Sequence, residues 1–318
     1  MQVFFGLDAL PKNFKGAVVT LGVFDGLHLA HMEIIQRVIN SAVQEQTGSM
    51  AITFDPHPRK ILNQSGNSVP LLTTPKEKLK LLDDTELDAT LFLKVDETLL
   101  NTGSEAFVEK VLVNLIDVRK VIVGYDYHFG KDRGGRTGQL VQLGGKYGFS
   151  VETVAPILLN NEPVRSSLIR SLLEEGQVEK AAQLLGRDYG ISGYVVHGVG
   201  RGSSLGFPTA NIEIDNPEKM IPLDGVYLSK VQVNEQHFFG ICNIGIRETF
   251  NEHDRVIEVN LMNTAQTDLY GAEIEVDFLE RLRDEIKFDT MEELKNQMIL
   301  DEKECLKKIK NKTNEKED

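Results

Sequence analysis

The sequence predicts an α/β domain followed by an antiparallel β-barrel with a C-terminal helix. Three observations carry that expectation. Residues 1 to 185 alternate strand-like and helix-like runs, as a sheet covered by helices requires. From Tyr189 onward, short β-branched and aromatic runs follow one another between Gly, Pro, Asn and Asp, with no long helix until TMEELKNQMILDEKECLKKI. The third is VVTLGVFDGLHLAH, Val18 to His31, where an apolar run ends in Asp-Gly and then presents two histidines three positions apart.

In that stretch Val18, Val19, Leu21, Val23 and Phe24 read as one buried strand, too continuous for a sheet face in water. Asp25-Gly26 is a turn signal. LHLAHMEIIQRVINSAVQEQ, closed by Gly48, has helical spacing at Leu27, Ile34, Ile35, Val38 and Ile39. Both histidines then fall in the first turn of a helix, where backbone N–H groups are unpaired and an anion is welcome. His28 and His31 are one turn apart and can point the same way.

MAITFDPHP is a strand entering a Pro-restricted loop, KEKLKLLDDT a helix, and DATLFLKV a strand. GSEAFVEKVLVNLI is a helix opened by Ser104, and VRKVIVG a strand. GQLVQLGGKYG is a short helix and FSVETVAPI a further strand. RSSLIRSLLEEG and QVEKAAQLLG are short helices closed by Gly176 and Gly186. A mainly parallel sheet follows, with its ligand beyond the strand C-termini, near the point where strand order reverses. The rich loops after Phe24, Phe54 and Val123 all follow strands. In the second half ISGYVVHGV, ANIEI, GVYLSKVQV, HFFGICNIG, VIEVNLM and AEIEVDFLERL are the barrel strands. The expected domains are residues 1–185 and 186–310, with 311–318 a disordered polar tail.

A chain of 318 residues is long enough for two cores, and its 41% hydrophobic and 26% charged content is that of a globular protein. The formal net charge of −13 argues against a nucleic-acid or anionic-membrane partner, because neutralising phosphates needs a basic surface. Cys242 and Cys305 form no CxxC pair, so neither a disulfide framework nor a cysteine metal site is indicated. QVFFGLDALPKNFKG after Met1 lacks the parts of a signal peptide, and no apolar run approaches a membrane span. A cytoplasmic location is expected.

A histidine pair at a helix start is more often a cap or surface feature than a site. Three further features change that balance. VRSSLIR sets Ser166 and Ser167 just before a helix with Arg170 one turn in, a combination suited to phosphate. GYDYHFGKDRGG supplies Asp126, His128, Lys131 and Arg133 in a Gly-rich loop, and TFDPHP supplies Asp55 and His57. Phosphate-compatible groups at several strand ends are hard to explain as packing.

GVFDGLHLAH resembles the GxFDGxHxGH motif of adenylyltransferases. With TFDPHP, GYDYHFG and SSLIR it is similar to the N-terminal module of the prokaryotic bifunctional riboflavin kinase/FAD synthetase. HGVGRGSSLGFPTANI resembles that family's HGxxxGRxLGFPTAN, and DGVY, CNIGIRETF, IEVNLM, DLYGAEIEV and LRDEIKFDTMEEL follow in the family's order. The resemblance covers nearly the whole chain. It implies a Rossmann-like nucleotidyltransferase domain and a riboflavin-kinase-like barrel. It also implies that AMP passes from ATP to FMN, giving FAD and pyrophosphate, and that riboflavin is phosphorylated to FMN. The implied ligands are ATP, FMN, FAD and riboflavin, with Mg2+ as cofactor. His28 and His31 would stabilise phosphates, Ser166, Ser167 and Arg170 would hold pyrophosphate, and Asp126 would line the cleft. In the barrel the resemblance assigns Gly200, Gly202, Thr209 and Asn211 to Mg-ATP, with Thr209 and Asn211 on the metal. It makes Glu258 the base and sets Arg283 near the flavin. Without it, alternation makes Glu258 an outward strand residue and Arg283 one charge among several.

The chain departs from the family pattern at Ala30 and Arg165 in the first module. In the second it departs at Ser203, Glu248, Asn260, Asn263 and Thr264. Glu248 stands where proline is usual, which frees the backbone and adds a negative charge near a triphosphate. The alternatives are therefore a monofunctional FAD synthetase whose barrel binds flavin or a partner without kinase chemistry, and a nucleotidyltransferase for another phosphorylated substrate.

Overall fold

Val18, Ala51 and Ile122 pack on one side of a sheet, and their neighbours Val19, Met50 and Val121 pack on the other. Strands buried on both faces take this form when helices cover each side. The structure, a computed structural model, describes residues 1–9, 14–62, 69–131, 134–198, 206–248, 253–264 and 269–314. It divides into two compact units, Met1–Ser166 and Ser167–Asp318.

The main sheet of the first unit has six strands: β1 (Gln2–Phe5), β2 (Val18–Leu21), β3 (Ser49–Asp55), β4 (Ala89–Lys94), β5 (Lys120–Gly124) and β6 (Ser150–Val154). They are ordered β1-β4-β3-β2-β5-β6, and every neighbouring pair is parallel. Helix α1 (Leu29–Glu45) covers one face through Ile34, Ile35, Val38 and Ile39. Helical turns over Ser104–Phe107 and Val108–Ile116 cover the other, with α3 (Thr137–Tyr147) beside them. Between β3 and β4 lies α2 (Pro75–Asp83), entered through a capping box in which Thr74 and Glu77 satisfy each other's backbone N–H.

Three local details differ from the expected pattern. Strand β2 stops at Leu21, so Val23 and Phe24 lie outside the ladder. Helix α1 starts at Leu29 with His28 as its N-cap, and ends at Glu45 with Gln46 in the left-handed region at φ 53°. Edge strand β1 has no alternation to announce it; its four residues pair with β4, and Phe5 stacks on Phe92.

The second unit begins at Ser167, within α4 (Ser166–Glu174), and continues with α5 (Val178–Leu185). Gly176 and Gly186 end them at φ 72° and 75°. A closed antiparallel barrel follows, with β7 (Tyr189–Val196), β8 (Thr209–Ile214), β9 (Gly225–Val233), β10 (Gln236–Glu248), β11 (His253–Leu261) and β12 (Glu273–Arg283). Its order is β7-β8-β11-β10-β9-β12, and closure leaves no free edge. Helix α6 (Met291–Asn314) packs Cys305 onto Leu228, Met262 and Leu279. It runs four residues into the polar tail. Among the described residues no helix is long and apolar enough to cross a membrane.

Candidate functional site

Strand order reverses at β2, which has β3 on one side and β5 on the other. The crevice beyond the C-termini of β2 and β5 is where a sheet of this kind takes its ligand. The loop leaving β2 is tightly wound: Phe24 (φ 49°), Gly26 (φ 88°) and Leu27 (φ 40°) all have left-handed backbone. For the two side-chain-bearing residues that conformation costs about 1–2 kcal/mol each. In return Phe24 and Leu27 enter the core, at 2% and 0% exposure, and His28 is delivered to the N-cap of α1. The His28 and His31 rings stack with centroids 3.6 Å apart and planes 14° apart. The Phe24 ring meets His31 edge-on at 5.3 Å. Two imidazoles thus form one slab at a helix N-terminus, where backbone N–H groups and the helix dipole favour an anion.

The loop is held from beneath. Asp25 is buried, and its Oδ1 accepts the N–H groups of Leu72 (3.0 Å) and Thr73 (3.1 Å). The Thr73 hydroxyl accepts from the Gly26 N–H at 3.0 Å. Ser166 donates its hydroxyl to the Asp25 carbonyl at 2.8 Å, tying the last residue of the unit to the histidine loop. From α2 the buried Lys78 ammonium donates to the Val23 carbonyl at 2.7 Å. Burial pushes the Lys78 pKa down to about 8, although the Asp25 and Asp55 carboxylates oppose the shift.

Asp126 follows β5 at the same end of the sheet. A Cβ on Gly124 would stand 3.4 Å from its Oδ1 and 3.5 Å from Ile34 of α1, so the carboxylate turns back over the strand end toward the histidine helix. His128 Nδ1 lies 2.6 Å from the Asp126 carbonyl and shapes the turn. Ser167 and Arg170 belong to the second unit, on α4, with Arg170 buried. Arg133 lies outside the described residues.

In the barrel, pairing register assembles the second set. Thr209 stands opposite Asn260, and Asn211 opposite Glu258. On its other side Glu258 faces Asn243 of β10. Residues directly opposite share a sheet face, so Asn211, Glu258 and Asn243 form one polar row across three strands. The alternate residues Ile212, Ile257 and Ile244 form a buried row on the opposite face. A Cβ on Gly198 would lie 1.9 Å from Asn211 Nδ2, so that glycine leaves room for the carboxamide. Asn260 is buried and donates to the Pro208 carbonyl at 2.8 Å, which fixes the Pro-Thr entry to β8. Arg283 makes a two-pronged ion pair with Asp301 of α6, with Nη2–Oδ2 at 2.7 Å and Nε–Oδ1 at 3.0 Å. Gly200, Gly202 and Ser203 lie outside the described residues, as does the side chain of Glu248.

Sequence reasoning passed over Lys78, Thr73 and Asn243, and read Asp25 only as part of a turn. A signal for Lys78 existed: it shares a helix face with Leu82 at i,i+4, and both are buried.

The family described as FAD synthetase matches residues 10–168, and the family described as riboflavin kinase matches residues 185–309. The chain is 34% identical to a bifunctional riboflavin kinase/FMN adenylyltransferase of Buchnera aphidicola subsp. Schizaphis graminum, over 90% of this chain and 91% of that one. It is 33% identical to the Bacillus subtilis protein of the same name, over 85% of each. A solved structure described as a macrolide-efflux protein from Streptococcus pneumoniae superposes with a TM-score of 0.84 at 26% identity, covering 95% of this chain and 98% of that one. With both modules matched in order and such identity along nearly its full length, the chain belongs to the bifunctional riboflavin kinase/FMN adenylyltransferase family.

Proposed function

We propose that this chain converts riboflavin to FMN in its barrel and FMN to FAD in its α/β unit, with ATP as co-substrate for both steps. The observation that carries the second step is the stacked His28–His31 slab at the N-terminus of α1, set at the sheet's switch point. In adenylyl transfer a phosphate oxygen of FMN attacks the α-phosphorus of ATP. The new P–O bond forms as the bond to pyrophosphate breaks. Charge grows on the phosphoryl oxygens and the leaving group, so positioned donors do most of the catalysis. His28 and His31 supply those donors over the helix N-terminus. Asp126 lines the crevice, and Ser166 joins it through the Asp25 carbonyl. The family motif extends pyrophosphate binding to Ser167 and Arg170. No protein nucleophile is needed, because FMN brings its own.

For the kinase step the supporting observation is the Asn211–Glu258–Asn243 row. Glu258 takes the proton from the riboflavin 5′-hydroxyl as that oxygen attacks the γ-phosphorus of ATP and ADP leaves. The hydroxyl of Thr209 and the carboxamide oxygen of Asn211 are hard oxygen donors of the kind Mg2+ prefers, so they suit the ion that accompanies ATP. That ion supplies charge neutralisation on the phosphates. Gly200 and Gly202 are proposed to approach the same phosphates on the strength of the motif, and Arg283 to border the flavin. The acidic net charge favours small ligands over nucleic acid.

Product analysis tests the whole reading. Purified protein is incubated with Mg-ATP and either riboflavin or FMN, and the flavins are separated by chromatography. FAD from both substrates is the expected result. FAD from FMN alone would mean that the barrel binds without phosphorylating. No FAD from FMN would sink the proposal for the first unit.

A further inference from the structure

A lysine packed inside a folded domain needs a reason, and Lys78 is 6% exposed. It lies one turn into α2, just past the Thr74–Glu77 capping box, and shares its inward face with Leu82. Its ammonium donates to the Val23 carbonyl at 2.7 Å and lies 3.5 Å from the Thr53 hydroxyl of β3. Two carboxylates face it from other elements, Asp25 from the loop ahead of α1 and Asp55 from the end of β3. Its neighbour Glu77 is committed to the Thr74 N–H. Three segments of chain therefore meet at one buried cation.

The charge is held here at a cost. Desolvation outweighs the two carboxylates and pulls the Lys78 pKa from its ordinary value down to about 8. The folded state thus disfavours the charged amine relative to water, and its contacts to the Val23 carbonyl and to the Asp25 and Asp55 carboxylates offset that penalty only in part. What the amine does supply is a donor aimed at Val23, the residue immediately before the left-handed turn. Phe24 and Leu27 adopt strained backbone there, and strain of that kind persists only where surrounding groups enforce it. Loosening Val23 frees Phe24, whose ring edge rests on His31, and the His28–His31 stack with it.

We infer that Lys78 is a positioning residue for adenylyl transfer, a buried cationic clamp on the Val23 carbonyl that holds the histidine loop in its reactive shape. This rests on the reading that the first unit makes FAD. Such a clamp weakens when its amine loses its proton, since Asp25 and Asp55 then lose their counter-charge.

The experiment measures kcat and KM for FAD formation from FMN and ATP against pH, with thermal melting alongside. The proteins are the full-length wild type, Lys78→Met and Lys78→Arg. Wild type is expected to lose activity above about pH 8 as the amine deprotonates. Lys78→Met should lose at least about tenfold in kcat for FAD formation at neutral pH, as a misplaced catalytic group does, with FMN formation in the barrel as the control for folding. Lys78→Arg, which stays charged, should recover part of that loss and move the alkaline fall upward. Lys78→Gln keeps an N–H donor without the charge and repeats the test on a second background. A Lys78→Met or Lys78→Gln protein with wild-type kcat, KM and pH profile overturns the assignment. So does one that melts earlier and slows FAD and FMN formation equally, since that is a structural defect. Wild type that makes no FAD would overturn the underlying reading, an outcome separate from an active wild type indifferent to Lys78.

Discussion

Asn211 of β8 and Glu258 of β11 stand directly opposite each other, and Asn243 of β10 stands opposite Glu258 on its far side. A carboxylate between two carboxamides on one face of a barrel is a poor packing choice, which suits the proposed role of Glu258 as a proton acceptor. Glu258→Gln keeps the shape and removes the basicity. It should slow FMN formation from riboflavin by at least about 100-fold, the usual contribution of a general base. FAD formation from supplied FMN should not change. Retained phosphorylation would reject Glu258 as the base.

Gly198 bears on the same row. An added Cβ would stand 1.9 Å from Asn211 Nδ2 and 2.4 Å from its Cγ, so Gly198→Ala must push the carboxamide out of place. Phosphorylation of riboflavin should fall by about tenfold or more, the scale of a displaced binding group. The change should show in the KM for ATP. An unchanged KM would mean that Asn211 does not face the nucleotide.

The histidine slab makes the complementary prediction for the first unit. His28→Ala removes the N-cap side chain and half of the stack, leaving His31 without its stacking partner beside the backbone N–H groups of the helix N-terminus. FAD formation should drop by about 100- to 1000-fold, as when a preorganised transition-state donor is lost. Riboflavin phosphorylation serves as the internal control. Equal loss of both activities would contradict separate sites.

How much of this was legible depended on whether a feature repeats along the chain. Barrel segments such as Ser229–Val233 and Glu273–Phe278 alternate, and their positions follow from period two. Central strands such as Val18–Leu21 announce themselves by unbroken apolar burial. Gln2–Phe5 has neither signal and becomes a strand only because β4 offers an edge. The end of β2 was misread for a different reason. Val23 and Phe24 continue an apolar run, yet Phe24 turns left-handed, and apolar character cannot report the sign of φ. Motifs pointed to His28, Asn211 and Glu258. They could not set Glu258 against Asn243, because register is a long-range property. They also could not distinguish the buried Lys78 from the solvated lysines around it without the helix face it shares with Leu82.

The Arg283–Asp301 pair gives the last prediction. Asp301 is 4% exposed and takes Nε and Nη2 of Arg283, while Gln297 donates to the same carboxylate at 2.8 Å. The pair joins the end of β12 to α6, whose Cys305 and Ile309 pack on the barrel beside Leu279. Removing one partner strands the other in a half-dry site, which costs about 3 kcal/mol. Asp301→Ala should therefore destabilise the barrel by that order in denaturant titration and expose α6 to limited proteolysis. It should also release the Arg283 guanidinium. If Arg283 borders the flavin, the KM for riboflavin will shift in Asp301→Ala while FAD formation from FMN stays at the wild-type rate. A destabilised barrel with an unmoved riboflavin KM would assign Arg283 to anchoring the helix and remove it from the flavin site.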